Sequence, residues 1–189
     1  MVQDSDPEKA RASLSAALQR VALGEKQALE SVYDATSSKL YGICLRILRD
    51  RQEAEDVLQD VYLGVWRRAG SFDPERASPI TWLATLARNR AIDRLRSLRR
   101  AGRTDPVEAA FDLPDPSPDA LAALEQREDS RRLAGCLGEL EQRASAAIRA
   151  AFFGGFTYSE LAERSGVPLG TMKSWIRRGL EKLKDCLQR

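Results

Sequence analysis

Phe72-Asp73-Pro74-Glu75-Arg76-Ala77-Ser78-Pro79-Ile80-Thr81-Trp82-Leu83, continuing through Ala87-Arg88-Asn89-Arg90-Ala91-Ile92-Asp93-Arg94-Leu95-Arg96, is the stretch that decides the fold. Ser78 followed by Pro79 is a helix start: a serine cap accepts from free N–H groups, and proline in the first turn has none to leave unpaired. At about 100° per residue the helix has two faces. Ile80, Leu83, Ala84, Ala87, Ala91, Leu95 and Leu98 share one side. Trp82, Thr85, Asn89, Arg96 and Arg100 lie opposite, with Leu86 and Asp93 beside them. An aromatic plate, an amide and guanidinium groups on one face suit unpaired bases on a phosphate chain. A solvated basic face, with Trp82 tucked against a neighbouring helix, gives the same pattern.

Working outward, helix punctuation recurs and strand signals do not. Asp6-Pro7 opens a first helix that fades near Gly24. Further helices are expected over Lys26–Ala35, Lys39–Leu48 and Arg51–Arg68. Four of the eight prolines (106, 114, 116 and 118) then fall within thirteen residues among acidic side chains, which reads as an extended linker. Ser117-Pro118 starts a helix towards Glu139, and Arg143–Phe153 supports another. The expected fold is all-α: two small helical domains, 1–101 and 118–189, joined by an acidic Pro-rich linker at 102–117.

The charge pattern fits that division. The 189-residue chain has a net charge of only +2, yet Arg88–Arg103 holds seven arginines against one acid. Asp105–Asp119 holds five acids and no base, and Thr171–Arg189 six bases against two acids. Two basic regions flanking an acidic one point to two nucleic-acid contacts. Histidine is absent, removing the commonest general base and metal ligand. Cys44, Cys136 and Cys186 are odd in number and far apart, so neither a zinc knuckle nor a disulfide framework is expected. They read as small buried thiols in a reducing compartment. The acidic N-terminus resembles no signal peptide and no apolar run approaches a membrane span, so a cytosolic location without membrane contact is expected. No metal, cofactor or catalytic constellation is expected either.

The C-terminal domain carries a specific pattern. Thr157-Tyr158-Ser159-Glu160 is a capping box. Its helix ends at Ser165-Gly166, and after Val167-Pro168 a second begins near Gly170. Small Ala162 permits close helix approach and Gly166 supplies the turn. This is helix-turn-helix spacing, in which the second helix enters the major groove; a plain helical hairpin with a basic face is the alternative. Met172, Ile176, Leu180, Leu183 and Leu187 form the expected apolar stripe. Thr171, Ser174 and Arg178 point the other way, flanked by Lys173 and Arg177, a set suited to base edges and phosphates.

The Arg51–Arg68 helix has an unusual outer face. Ala54, Val57, Leu58, Val61 and Val65 form its inner side. Asp56, Gln59, Asp60, Leu63 and Arg67 lie opposite, with Tyr62 and Trp66 at the boundary. Two acids, a glutamine and an exposed leucine suit docking on a basic protein, since phosphates would repel the acids. Ordinary solvation is the competing reading.

Taken in this order, Ala54–Val61, Phe72–Arg96 and Tyr158–Leu183 resemble the extracytoplasmic-function sigma factors, the compact two-domain branch of bacterial sigma-70-type initiation factors. The resemblance covers roughly Ala28 to Leu187. It implies an alternative initiation factor that binds core RNA polymerase and directs it to promoters. The Asp56, Gln59, Asp60 and Leu63 face would dock on the polymerase, on its β′ clamp helices, with the β subunit a further contact. Phe72, Ser78, Trp82, Thr85, Arg88, Asn89 and Arg96 would recognise and melt the −10 element. Thr171, Lys173, Ser174, Arg177 and Arg178 would read the −35 duplex. The acidic linker would thread the polymerase channels that later carry RNA, and an inhibitory anti-sigma factor is a further implied partner. Trp175 departs from the family, which commonly has a basic residue there; it either seals the domain against the preceding helix or touches a thymine methyl. A helix-turn-helix regulator without polymerase docking, a recombinase-like enzyme and a protein that only titrates an anti-sigma factor are the rival classes.

Overall fold

The computed structural model describes residues 7–102 and 131–188, and among these every regular element is helical. The chain divides between residues 104 and 105 into two compact units. The expected linker lies, from residue 103 on, outside the described residues, as does the helix start at Ser117-Pro118.

The first unit contains α1 (Pro7–Ala22), α2 (Lys26–Leu48), α3 (Arg51–Arg68), a 3-10 turn at Ala69–Ser71 and α4 (Pro79–Arg100). α2 packs against α1, α3 and α4, and α3 packs against α4. The two helices expected at Lys26–Ala35 and Lys39–Leu48 are one. The polar run Thr36-Ser37-Ser38 reads as a break, but Thr36 is buried and its hydroxyl donates to the Val32 carbonyl at 2.7 Å. The same hydroxyl lies 2.8 Å from the Tyr62 hydroxyl of α3. Tertiary burial thus overrides weak local propensity. α2 ends at Arg49, whose N–H still reaches the Leu45 carbonyl while its φ of 58° turns the following chain out of the helix. Asp50 then caps α3, accepting from the Glu53 N–H at 2.9 Å.

Apolar periodicity sets the core of this unit. Leu18, Val32, Leu40, Val65 and Leu83 are among its fully buried side chains, each contributing roughly 1.5–3 kcal/mol by leaving water. Tyr62, expected at a boundary, is buried, and its ring lies 4.8 Å from that of Tyr33. Cys44 is fully buried as expected, and that burial pushes its thiol up to about 12.

The second unit holds helical residues 131–138 (α5), α6 (Gln142–Phe152), α7 (Tyr158–Arg164) and α8 (Leu169–Leu187). Leu140, Ile148, Phe156, Leu161, Met172 and Ile176 lie in its core. Two expectations are corrected here. Leu180 and Leu187 are exposed rather than buried, because the inward arc of α8 runs through Met172, Ile176 and Gly179 instead. A Cβ at Gly179 would lie 2.8 Å from Ile148 Cδ1 and 3.3 Å from Ala144 Cβ, so α6 approaches α8 where a side chain is missing. Second, Cys136 and Cys186 form a disulfide, with Cα atoms 5.8 Å apart. Their separation of 50 residues conceals this; folding brings the end of α8 back to α5.

Candidate functional site

The candidate residues fall on three surfaces. On α3, Asp56, Gln59, Asp60 and Leu63 are all exposed, with Leu63 55% accessible. The carboxylates around it would repel a phosphate chain. Asp60 is not simply solvated: its Oδ2 accepts from Arg90 Nη2 at 2.7 Å and Nε at 3.2 Å. One end of α3 is tied similarly. Glu53 accepts from Arg94 through both carboxylate oxygens, Oε1 from Nη2 at 3.0 Å and Oε2 from Nε. That hydrogen bonding, opposed by desolvation and reinforced by the charges of Glu53, Asp56 and Asp60, holds the Arg94 pKa above its ordinary value. Neither pair is visible in the sequence, because residues 30 and 41 positions apart meet only when α3 and α4 pack.

The α4 surface starts from its cap. The Ser78 hydroxyl accepts from the Thr81 N–H at 3.2 Å and lies 2.7 Å from the Thr81 hydroxyl. Ser78 therefore serves the helix start, and its role as a DNA contact has to share that oxygen. The preceding loop is shaped by Asp73, whose Oδ1 accepts from the Glu75 N–H at 3.0 Å and whose carbonyl accepts from Arg76 and Ala77. This is an Asx turn with Pro74 at a position that suits its fixed φ. The loop brings Phe72 onto Trp82, ring centroids 5.6 Å apart and planes inclined at 58°. Both rings are half-buried, and each limits the other's freedom. Thr85 is exposed and donates to the Thr81 carbonyl at 2.8 Å. Arg88 is half-buried and donates to Asn89 Oδ1 at 3.3 Å, while Asn89 and Arg96 are exposed. The opposite side, Leu83, Ala87, Ala91, Leu95 and Leu98, is buried; Ile80 and Ala84 are half-buried.

The third surface is the helix-turn-helix. Thr157 accepts from the Glu160 N–H at 3.2 Å, and Glu160 accepts from the Thr157 N–H at 2.7 Å, completing the capping box. α7 closes on Gly166, whose N–H reaches the Glu163 carbonyl and whose φ of 62° turns the Val167 N–H back to the Ala162 carbonyl. This is a Schellman closure, which needs a left-handed residue at that position. Ala162 is buried, as close packing requires. On α8, Lys173, Arg177 and Arg178 are exposed and Thr171 and Ser174 half-buried. Arg177 pairs with Glu181 at 3.6 Å, and Arg178 Nε donates to the Ser174 carbonyl at 3.4 Å. Trp175 is half-buried against the core, with the Arg143 guanidinium 5.7 Å from its ring centroid. It thus packs on the domain core beside α6.

Among the described residues no group of three or more His, Cys, Asp or Glu side chains is placed to hold a metal ion. No described helix is long and apolar enough to cross a membrane.

Comparison with known proteins identifies the family. Residues 32–101 match Sigma-70 region 2, and residues 130–183 match Sigma-70 region 4. The chain is 38% identical over 174 residues to the ECF RNA polymerase sigma factor SigK of Mycobacterium sp. strain KMS, covering 92% of this chain and 90% of that one. To SigK of Mycobacterium tuberculosis strain ATCC 25177 / H37Ra it is 38% identical over 182 residues, covering 96% and 97%. A crystal structure of Rhodobacter sphaeroides SigE in complex with the anti-sigma ChrR is similar at 34% identity, 90% and 98% coverage and a TM-score of 0.46. With both regions matched in order and full-length relatives at this identity, the chain belongs to the extracytoplasmic-function branch of the sigma-70 family of RNA polymerase sigma factors.

Proposed function

We propose that this sigma factor divides its work among the three surfaces. Asp56, Gln59, Asp60 and Leu63 dock on core RNA polymerase, at the β′ clamp helices. Phe72, Trp82, Thr85, Arg88, Asn89 and Arg96, with the Ser78 cap, capture melted non-template bases of the −10 element. Thr171, Lys173, Ser174, Arg177 and Arg178 read the −35 duplex. Residues 1–101 and 118–189 form the two working domains and 102–117 the linker between them. The chain contributes no catalysis of its own, acts in the cytoplasm where its polymerase is, and is held in check by an anti-sigma factor.

The observation that carries this reading is the contrast between adjacent helices: α3 presents exposed carboxylates around Leu63, while α4 presents Trp82, paired with Phe72 of the preceding loop, together with arginines and an amide. Acids repel phosphates and suit a basic protein; the α4 set suits unstacked bases. Unstacking costs a few kcal/mol that base contacts must offset.

Run-off transcription with purified core polymerase, across cognate and unrelated promoters, tests the function. Promoter-selective transcripts that depend on this chain are the expected result, and transcript levels unchanged by its addition would refute it. Asp60→Arg is expected to abolish core binding while leaving −35 duplex contacts intact. Equal polymerase affinity for variant and parent would remove the docking face.

A further inference from the structure

Asp60 is the carboxylate at the centre of the docking face, yet α4 already supplies it with a cation. Arg90 reaches it through two nitrogens, at 2.7 and 3.2 Å. The pair sits in water: the Arg90 side chain is 53% accessible and that of Asp60 45%. The neighbouring rung is different. Arg94, one turn further along α4, grips Glu53, two turns back along α3, and the Glu53 side chain is only 13% accessible. The antiparallel helices are therefore joined by one sheltered, doubly bonded rung and one exposed rung. The sheltered rung holds register; the exposed one exchanges partners cheaply, because an ion pair in water is worth little.

Arg90 also lies next to Asn89, on the flank of α4 roughly a quarter turn from the arc of Trp82, Thr85, Asn89 and Arg96, taking about 100° per residue. The guanidinium there contacts the docking carboxylate and lies on the flank between α3 and the outer face of α4.

We propose that Arg90 is a shared, exchangeable cation: it screens Asp60 in the free chain, is displaced when core polymerase brings its own cation to Asp60, and then serves α4 as a phosphate contact. This rests on the docking reading above. Screening lowers affinity for core and disfavours partners that cannot supply a replacement cation. Displacement adds one free positive charge to the −10 surface only after docking. By linkage, whatever DNA gains from the released arginine, core binding gains when DNA is present.

The test uses the full chain with purified core polymerase. Core affinity is measured for the parent, Arg90→Gln, Asp60→Asn and the double variant. Arg90→Gln is expected to bind core roughly two- to fivefold more tightly, the range set by an exposed pair, and to have no effect in the Asp60→Asn background. Unchanged or weaker binding by Arg90→Gln, with Asp60→Asn still impaired, overturns the screening while the docking face stands. Wild-type affinity for Asp60→Asn removes the docking face and the proposal with it. Binding of each holoenzyme to a single-stranded oligothymidylate at several salt concentrations reads the second half. The slope of log affinity against log salt is expected to fall in magnitude by about 0.7 in Arg90→Gln, the loss of one single-strand phosphate contact. An identical slope overturns the hand-over. Arg90→Lys keeps the charge and is expected to restore the slope; failure to do so overturns an electrostatic role.

Discussion

Breaking the Cys136–Cys186 bond should weaken the second unit severely. The two cysteines are 50 residues apart and stand at opposite ends of that unit's described helices. Cross-linking a 50-residue loop removes about 4 kcal/mol of conformational freedom from the unfolded chain at 25 °C. A small domain has only about 5–15 kcal/mol of total stability, so the bond supplies a large share of it. In a thiol-reducing compartment the bond opens, so the stability left without it is the quantity that matters for the proposed −35 surface. Trp175 reports on this unit alone, since Trp66 and Trp82 lie in the first; a chain in which those two are phenylalanine makes the signal clean. Urea unfolding followed by Trp175 fluorescence, with and without dithiothreitol, should show a midpoint lower by several molar after reduction, taking a slope of about 1 kcal/mol per molar for a unit of this size. Cys136→Ser should match the reduced parent without added reductant. A loss under about 1 kcal/mol in both experiments would refute the loop-closure argument.

Gly179→Val should cost about 1–3 kcal/mol, because the new side chain meets Ile148 and Ala144 at distances under 3.5 Å; the same urea titration measures it, and parental stability would show that α6 does not demand the glycine. Above pH 9 the first unit should lose stability as pH rises. Unfolded Cys44 deprotonates near 9 while the folded thiol, at about 12, keeps its proton, giving up to about 1.4 kcal/mol per pH unit. Below pH 9 both states hold the proton and Cys44 contributes no slope. Tyr62, raised from 10.0 mainly by burial, adds to the loss at higher pH, so Cys44→Ala should flatten the onset near pH 9; an unchanged profile would refute the assignment. Trp82→Ala should weaken holoenzyme binding to single-stranded −10 DNA by about 1–3 kcal/mol with core affinity unchanged. Phe72→Ala should produce a smaller loss by freeing the Trp82 ring, and equal binding by both variants would disprove the aromatic surface.

Much of this protein was legible from local sequence, because helix starts and stops are local chemistry. Ser78-Pro79, the Thr157/Glu160 box and Gly166 act through bonds that span at most five residues, and each appears in the structure as its residues dictate. The same holds for the two faces of α4 and the exposed set on α3, which follow from helical period. Local reading failed at Thr36, where a polar run signalled a break and burial against Tyr62 kept the helix intact. It failed again at Leu180 and Leu187, since the missing side chain at Gly179 turns α8 inward there.

Sequence alone determined that this chain is helical, where its helices cap, and which residue types its outer faces present. Tertiary structure alone decided which of those residues meet: Arg90 with Asp60, Arg94 with Glu53, Phe72 with Trp82, Cys136 with Cys186. The reason is physical. Capping and periodicity involve neighbours whose separation the backbone fixes, whereas ion pairs, ring contacts and disulfides between elements depend on how buried apolar faces bring distant segments together.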